Sequence, residues 1–133
     1  MLRLGKKMNI ALDIDDTITK APSFFSLLSR SVRREGCKIY IITSRSNVDS
    51  VKEQTRQELL SYGVEFDELH VISNNNPSQV PCPHEDLDWY QKYLWQKVSF
   101  CLDKGVSIVF EDDQKVIDLF KKYAPNIQVF QVR

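Results

Sequence analysis

The sequence carries no net charge, because eighteen lysines and arginines balance eighteen aspartates and glutamates. It therefore lacks the basic footprint of a dedicated nucleic-acid binder. Cysteine is scarce: Cys37, Cys82 and Cys101 are odd in number and widely spaced. That spacing suits reduced thiols in a cytoplasmic protein better than a disulfide framework. Cys82-Pro83-His84 stands without a Cys-x-x-Cys pair or a second histidine cluster, so no zinc site is expected. No apolar run approaches the roughly 20 residues needed to cross a bilayer. The basic stretch Met1 to Lys7 is followed by neither a signal-length apolar segment nor a small-residue cleavage site. These absences point to the cytoplasm and to no membrane partner. No internal repeat and no low-complexity linker is visible, and nothing in the sequence signals an oligomeric state.

With 133 residues, 42% of them hydrophobic and 27% charged, the chain has the size and balance of one globular domain covering residues 1–133. Met8 directly precedes the first strand-like run, so residues 1–7 are read as an N-terminal extension. Short apolar runs at Met8 to Leu12, Lys38 to Ile42, Glu68 to Ile72, Ser107 to Phe110 and Ile127 to Val132 alternate with helical periodicity. Such alternation predicts an α/β domain with a mainly parallel sheet. The last run mixes Gln128 and Gln131 with apolar residues and reads as an edge strand.

Phe24, Leu28 and Val32 mark the apolar face of a first helix that stops at Gly36. Val48, Val51, Thr55 and Leu59 mark a second, from about Asn47 to Tyr62, with Gly63 as its C-terminal cap. Leu94, Val98, Cys101 and Leu102 mark a third ending near Gly105, and Val116, Leu119 and Phe120 a fourth before Pro125. Ser73 to Pro83, rich in Asn and Pro, is expected to be a loop.

The chemistry sits at strand ends. Asp13-Ile14-Asp15-Asp16-Thr17 follows the run Ile10-Ala11-Leu12, at the carboxyl end of a strand, where open α/β sheets bind ligands. Three carboxylates so close together repel unless a cation offsets them. Acidic oxygen donors suit Mg²⁺, which prefers carboxylates, water and substrate phosphate. The alternative is an Asx-type turn and helix cap. Two further strand ends weigh against it: Ile39 to Ile42 runs into Thr43-Ser44-Arg45, and Ile108 to Phe110 runs into Glu111-Asp112-Asp113. Parallel strands bring all three ends together.

In this order the motifs resemble those of the haloacid dehalogenase (HAD)-like hydrolase superfamily. A strand followed by Asp-x-Asp-x-Thr is present at Ile10 to Thr17, a strand ending in Thr at Ile39 to Thr43, and a strand ending in an acidic pair at Ser107 to Asp113. The resemblance implies a three-layer α/β/α Rossmannoid sandwich with a five-stranded sheet in the order 5-4-1-2-3. It implies a Mg²⁺-dependent phosphomonoesterase working through an aspartyl-phosphate on Asp13, with Asp15 as general acid and base.

Asp13, the backbone carbonyl of Asp15, and Asp112, with Asp113 in support, would hold the metal. Thr43 would bond a phosphate oxygen, joined by Ser44 and Arg45, while Thr17 would stabilise the turn. Lys97 would offset the charge of nucleophile and phosphoryl group, with Lys92 as its competitor.

Thr17 to Lys38 has room for one helix only, and Thr43 to Lys97 is consumed by a helix, a strand and a loop. A form without a cap domain is therefore implied. The expected substrate is a small phosphorylated metabolite or nucleotide rather than a macromolecule. Two alternatives stand beside this reading: a binding protein on the same fold without turnover, and a receiver-like phosphoaccepting signalling domain. Trp89, Tyr90, Tyr93 and Trp95 form an aromatic cluster suited either to base stacking or to helix packing.

Overall fold

The computed structural model describes residues 8–72 and 82–133. Strand β1 (Asn9–Leu12) leads through a 3₁₀ turn (Ile18–Lys20) and helix α1 (Pro22–Arg34) to β2 (Lys38–Thr43). Helix α2 (Asp49–Tyr62) and β3 (Glu68–Val71) follow, then α3 (Trp89–Asp103), β4 (Ile108–Glu111), α4 (Gln114–Tyr123) and β5 (Gln128–Gln131). The five strands form one sheet in the order β3-β2-β1-β4-β5, and every pairing is parallel. This is the strand order expected from the sequence.

Successive strand residues point to opposite faces, so each central strand feeds two cores. Ile10, Leu12, Ile39 and Ile41 pack with Phe25 of α1 and Leu59 of α2. Ala11, Tyr40, Ile42 and Val109 meet Leu94 and Val98 of α3 and Phe120 of α4. The result is a three-layer α/β/α sandwich. Burial on both faces explains the unbroken apolar runs of β1 and β2. Strand β5, at the edge, is mostly exposed, which explains its glutamines.

Helix phase departs from expectation in three places. Phe24, expected on the buried face of α1, is 51% exposed, and Phe25, Ser26 and Ser29 face inward instead. The small serines let α1 approach the chain leaving α2: Ser26 Oγ donates to the Gly63 carbonyl at 3.0 Å, and Ser29 Oγ accepts from the Glu65 N–H at 3.0 Å. A bulkier inward residue would hold the two segments apart. Val48, expected within the second helix, is its extended N-cap residue and is exposed. Leu102 is exposed while Cys101 fills the core. Gly63 does cap α2, in the left-handed conformation at φ 76°. The extension expected at residues 1–7, and the loop expected from Ser73 to Pro83 except its last two residues, lie outside the described residues. Among the described residues no helix is long and apolar enough to cross a membrane.

Candidate active site

After β3 the chain returns to the other side of β1, so the topological switch point lies between β1 and β4. Open α/β sheets bind ligands in the crevice at that point, beyond the carboxyl ends of the strands. Asp13 leaves β1 there, its N–H donating to the Phe110 carbonyl of β4 at 3.1 Å. The chain then turns sharply. Ile14 is buried, Asp15 and Asp16 face outward, and Asp16 adopts a left-handed φ of 61°. Aspartate tolerates this conformation better than most residues, and the Asp16 N–H is satisfied by Thr19 Oγ1 at 2.9 Å. Thr17 is fully buried, with its hydroxyl 3.2 Å from both Asp13 Oδ2 and Asp112 Oδ1. Its single proton serves one carboxylate at a time.

Lys97 comes from the middle of α3 and crosses the core to this crevice. Its ammonium lies 3.0 Å from Asp13 Oδ1 and 2.8 Å from Glu111 Oε1, and all three side chains are largely or wholly buried. Lys97 rather than Lys92 is the lysine that lies against Asp13. The two carboxylates hold the ammonium charged, raising its pKa against the effect of burial. Burial raises the Asp13 carboxyl to about 6, with Lys97 opposing the shift. The Asp112 carboxyl is likewise raised to about 6, first by burial and then by its neighbour Asp13.

Glu111 is the site residue that sequence reading missed. One of its oxygens holds Lys97, and the other accepts the Asp112 N–H at 3.1 Å. A signal was present, since a carboxylate ending a buried strand requires a cationic partner. Asp113, expected to support a metal, instead caps α4 by accepting the Lys115 N–H at 2.9 Å. The local demand of the helix start uses the oxygen that the motif suggested for a cation.

Thr43, at the end of β2, is buried, and its hydroxyl oxygen accepts the Arg45 N–H at 3.1 Å, leaving the hydroxyl proton to donate. Ser44 is exposed and presents its carbonyl to Tyr93 Oη at 3.4 Å. Arg45 forms a two-point fork on Asp15, with Nε 3.0 Å from Oδ2 and a terminal nitrogen 2.8 Å from Oδ1. The same guanidinium donates to Glu58 Oε1 at 2.8 Å, and Tyr62 Oη donates to Glu58 Oε2 at 2.8 Å. Arg45 holds the Asp15 carboxyl below its ordinary range. The arginine expected to face substrate is thus engaged by two carboxylates of its own chain.

The donor set fits a hard divalent cation. One oxygen each from Asp13, Glu111 and Asp112 lie within 4.8 Å of one another, the one such group among the described residues. Glu111 has already spent both oxygens on Lys97 and the backbone. Asp13 is likewise engaged at both oxygens, by Lys97 and by Thr17, so a cation would share the remaining lone pairs of these carboxylates. Two carboxyls whose ionisation is opposed by burial are stabilised when a cation arrives.

No protein-family model and no curated protein matches the chain. Among solved structures, it is similar to a chain of the Pnkp1/Rnl/Hen1 complex, with a TM-score of 0.65, 16% identity, and coverage of 99% of this chain and 48% of that one. A chain of the Pnkp1/Rnl/Hen1 RNA repair complex gives a TM-score of 0.65 and 16% identity, with 99% of this chain and 44% of that one covered. The chain spans about half the length of these two relatives. A universal stress protein from Archaeoglobus fulgidus gives a TM-score of 0.48 and 14% identity over 95% of this chain and 93% of that one. At such identities the first two similarities establish a shared fold and nothing finer.

Proposed function

We propose that the chain is a Mg²⁺-dependent phosphomonoesterase that forms an aspartyl-phosphate on Asp13, as its resemblance to the HAD-like superfamily implies. The observation that carries this reading is the contact of Lys97 with Asp13 at 3.0 Å, in a crevice that also holds Asp112, with Thr43 at the end of the adjacent strand β2. A nucleophilic carboxylate must meet an anionic phosphate, and a buried ammonium between them reduces their repulsion.

Asp13 attacks phosphorus, the bond to the ester oxygen breaks, and Asp15 gives its proton to the departing alkoxide. Asp15 then takes a proton from water as that water attacks phosphorus of the acyl phosphate. Inorganic phosphate leaves and Asp13 is restored. Thr43 donates its hydroxyl to a phosphoryl oxygen. Asp13, Asp112 and the Asp15 carbonyl would hold Mg²⁺, which neutralises phosphoryl charge when bound. For Asp15 to act as a proton donor, Arg45 must leave its carboxylate, and the phosphoryl dianion is a matching bidentate partner for the guanidinium.

The test is release of inorganic phosphate from a panel of phosphomonoesters with and without Mg²⁺. Turnover that EDTA abolishes is expected, and no release from any ester in a broad panel would overturn the proposal.

A further inference from the structure

A line of side chains runs up one face of α3 away from the site. Lys97 touches Asp13, Tyr93 lies one turn earlier with its hydroxyl on the Ser44 carbonyl, and Trp89 lies one turn earlier again. Residues four apart on a helix stand one above the other. The indole of Trp89 lies parallel to Tyr93, with an interplanar angle of 6° and ring centroids 5.9 Å apart, yet it is 59% exposed. Tyr90 beside it is 41% exposed and 6.1 Å from the Tyr93 ring. Lys115, from the first turn of α4, places its ammonium 5.1 Å from the centre of the Tyr90 ring.

Helix packing accounts for Tyr93 and Trp95, which are buried. It does not account for Trp89 and Tyr90, which stay exposed on either side of Tyr93, the residue whose hydroxyl reaches the loop that follows β2. Lys115 lies over one face of Tyr90, so the open aromatic surface is chiefly the Trp89 indole with an ammonium nearby, which suits a ligand that is itself flat and aromatic and carries negative charge.

We propose that Trp89, Tyr90 and Lys115 form a platform for the base of a nucleotide whose phosphate monoester sits against Lys97 and Thr43. The proposal rests on the phosphohydrolase reading and narrows its substrate to a nucleoside phosphate unit, either free or at the end of a single strand. Stacking on exposed aromatics accepts any base, so the platform selects for the presence of a base rather than its identity.

The test compares kcat/KM for adenosine 5′-monophosphate, adenosine 3′-monophosphate, a phosphate-terminated single-stranded oligonucleotide and base-free ribose 5-phosphate. The intact chain prefers the compounds that carry a base. Trp89→Ala lowers that preference by about 5- to 150-fold, the range of one base stack, mainly through KM, and Trp89→Phe retains most of it. Preference for the oligonucleotide over both mononucleotides identifies a strand end as the source, and the reverse identifies a free nucleotide.

A second readout does not depend on turnover. Adenosine 5′-monophosphate added to the Asp13→Asn chain quenches tryptophan emission, and Trp89→Phe in that background removes the quench. If no ester is hydrolysed but the quench is present, the platform stands and the phosphatase reading falls. If ribose 5-phosphate is hydrolysed as well as the nucleotides and no quench appears, the platform falls and the phosphatase reading stands. A loss in Trp89→Ala shared equally by ribose 5-phosphate would also overturn the platform.

Discussion

The ammonium of Lys97 lies 2.8 Å from Glu111 Oε1, and both groups are buried, Glu111 at 1% exposure. Burying two charges is favourable only when their geometry and remaining hydrogen bonds are satisfied, and here Asp13 and the Asp112 N–H complete the set. The pair fixes the lysine at the place where phosphoryl charge would develop.

Removing one member should therefore cost stability as well as activity. Lys97→Met strands two buried carboxylates and is expected to destabilise the fold by about 3–5 kcal/mol, read as a shift in urea midpoint. The double variant Lys97→Met, Glu111→Leu should recover much of that stability while remaining inactive. Recovery of activity in the double variant would show that the lysine does not act on phosphate.

The two first-motif aspartates should separate by assay. On the proposed mechanism Asp13→Asn removes both the nucleophile and a metal ligand, so turnover and Mg²⁺ affinity should fall together. Asp15→Asn retains Mg²⁺ binding but loses about 10²- to 10⁴-fold in rate, the usual range for general acid–base assistance. Calorimetric Mg²⁺ titration alongside steady-state kinetics separates the roles, and normal turnover in Asp15→Asn would move the proton donor elsewhere, with Asp16 the first residue to test.

Arg45 and Glu58 should behave as one unit. Arg45→Ala is expected to lower kcat/KM by about 10- to 100-fold, the range for a hydrogen bond to a charged group. Glu58→Gln should act in the same direction but less, because Glu58 reaches the site only through Arg45. In a double-mutant cycle the combined variant should be no worse than Arg45→Ala alone. Additive losses would give Glu58 an independent role.

Magnesium dependence should itself depend on pH. Asp13 and Asp112 have carboxyls raised from 3.8 to about 6, so from about pH 4 to about pH 6 the folded chain holds more protons than the unfolded one. In that window these two groups make stability fall as pH rises. The lowered carboxyls of Asp15, Glu58 and Asp67 act oppositely and at lower pH, around and below their ordinary values. Mg²⁺ needs the ionised forms, so it should raise Tm little near about pH 5 and fully by about pH 8. Thermal melts with Mg²⁺ and with EDTA measure the difference, and an equal shift at both pH values would contradict it.

The sheet was legible because its central strands are buried on both faces and read as continuous apolar runs. That Asp13, Thr43 and Asp112 come close together was legible because each follows or ends a parallel strand, whereas Lys97 was singled out ahead of Lys92 although it lies inside its helix rather than at the start. Glu111 was visible as a carboxylate ending a buried strand, but its partner is a lysine from another element, whose identity no local sequence signal gives, so its role escaped notice. The Arg45 fork on Asp15 and Glu58 escaped for the same reason. Phe24 was misplaced because helical periodicity gives a stripe but not its rotation, which Ser26 and Ser29 set through contact with Gly63 and Glu65.

The pairing of β1 with β4 also orders events during synthesis. The strands β1, β2 and β3 leave the ribosome with Asp13, Thr43 and Arg45 already encoded, but Lys97, Glu111 and Asp112 arrive only with α3 and β4. Until β4 docks, one edge of β1 is open and Asp13 lacks the assembled Lys97 ammonium and Asp112 carboxylate beside it. On the proposed function the nascent chain would carry half a site, unable to hold Mg²⁺ or turn over an ester before β4 has been translated.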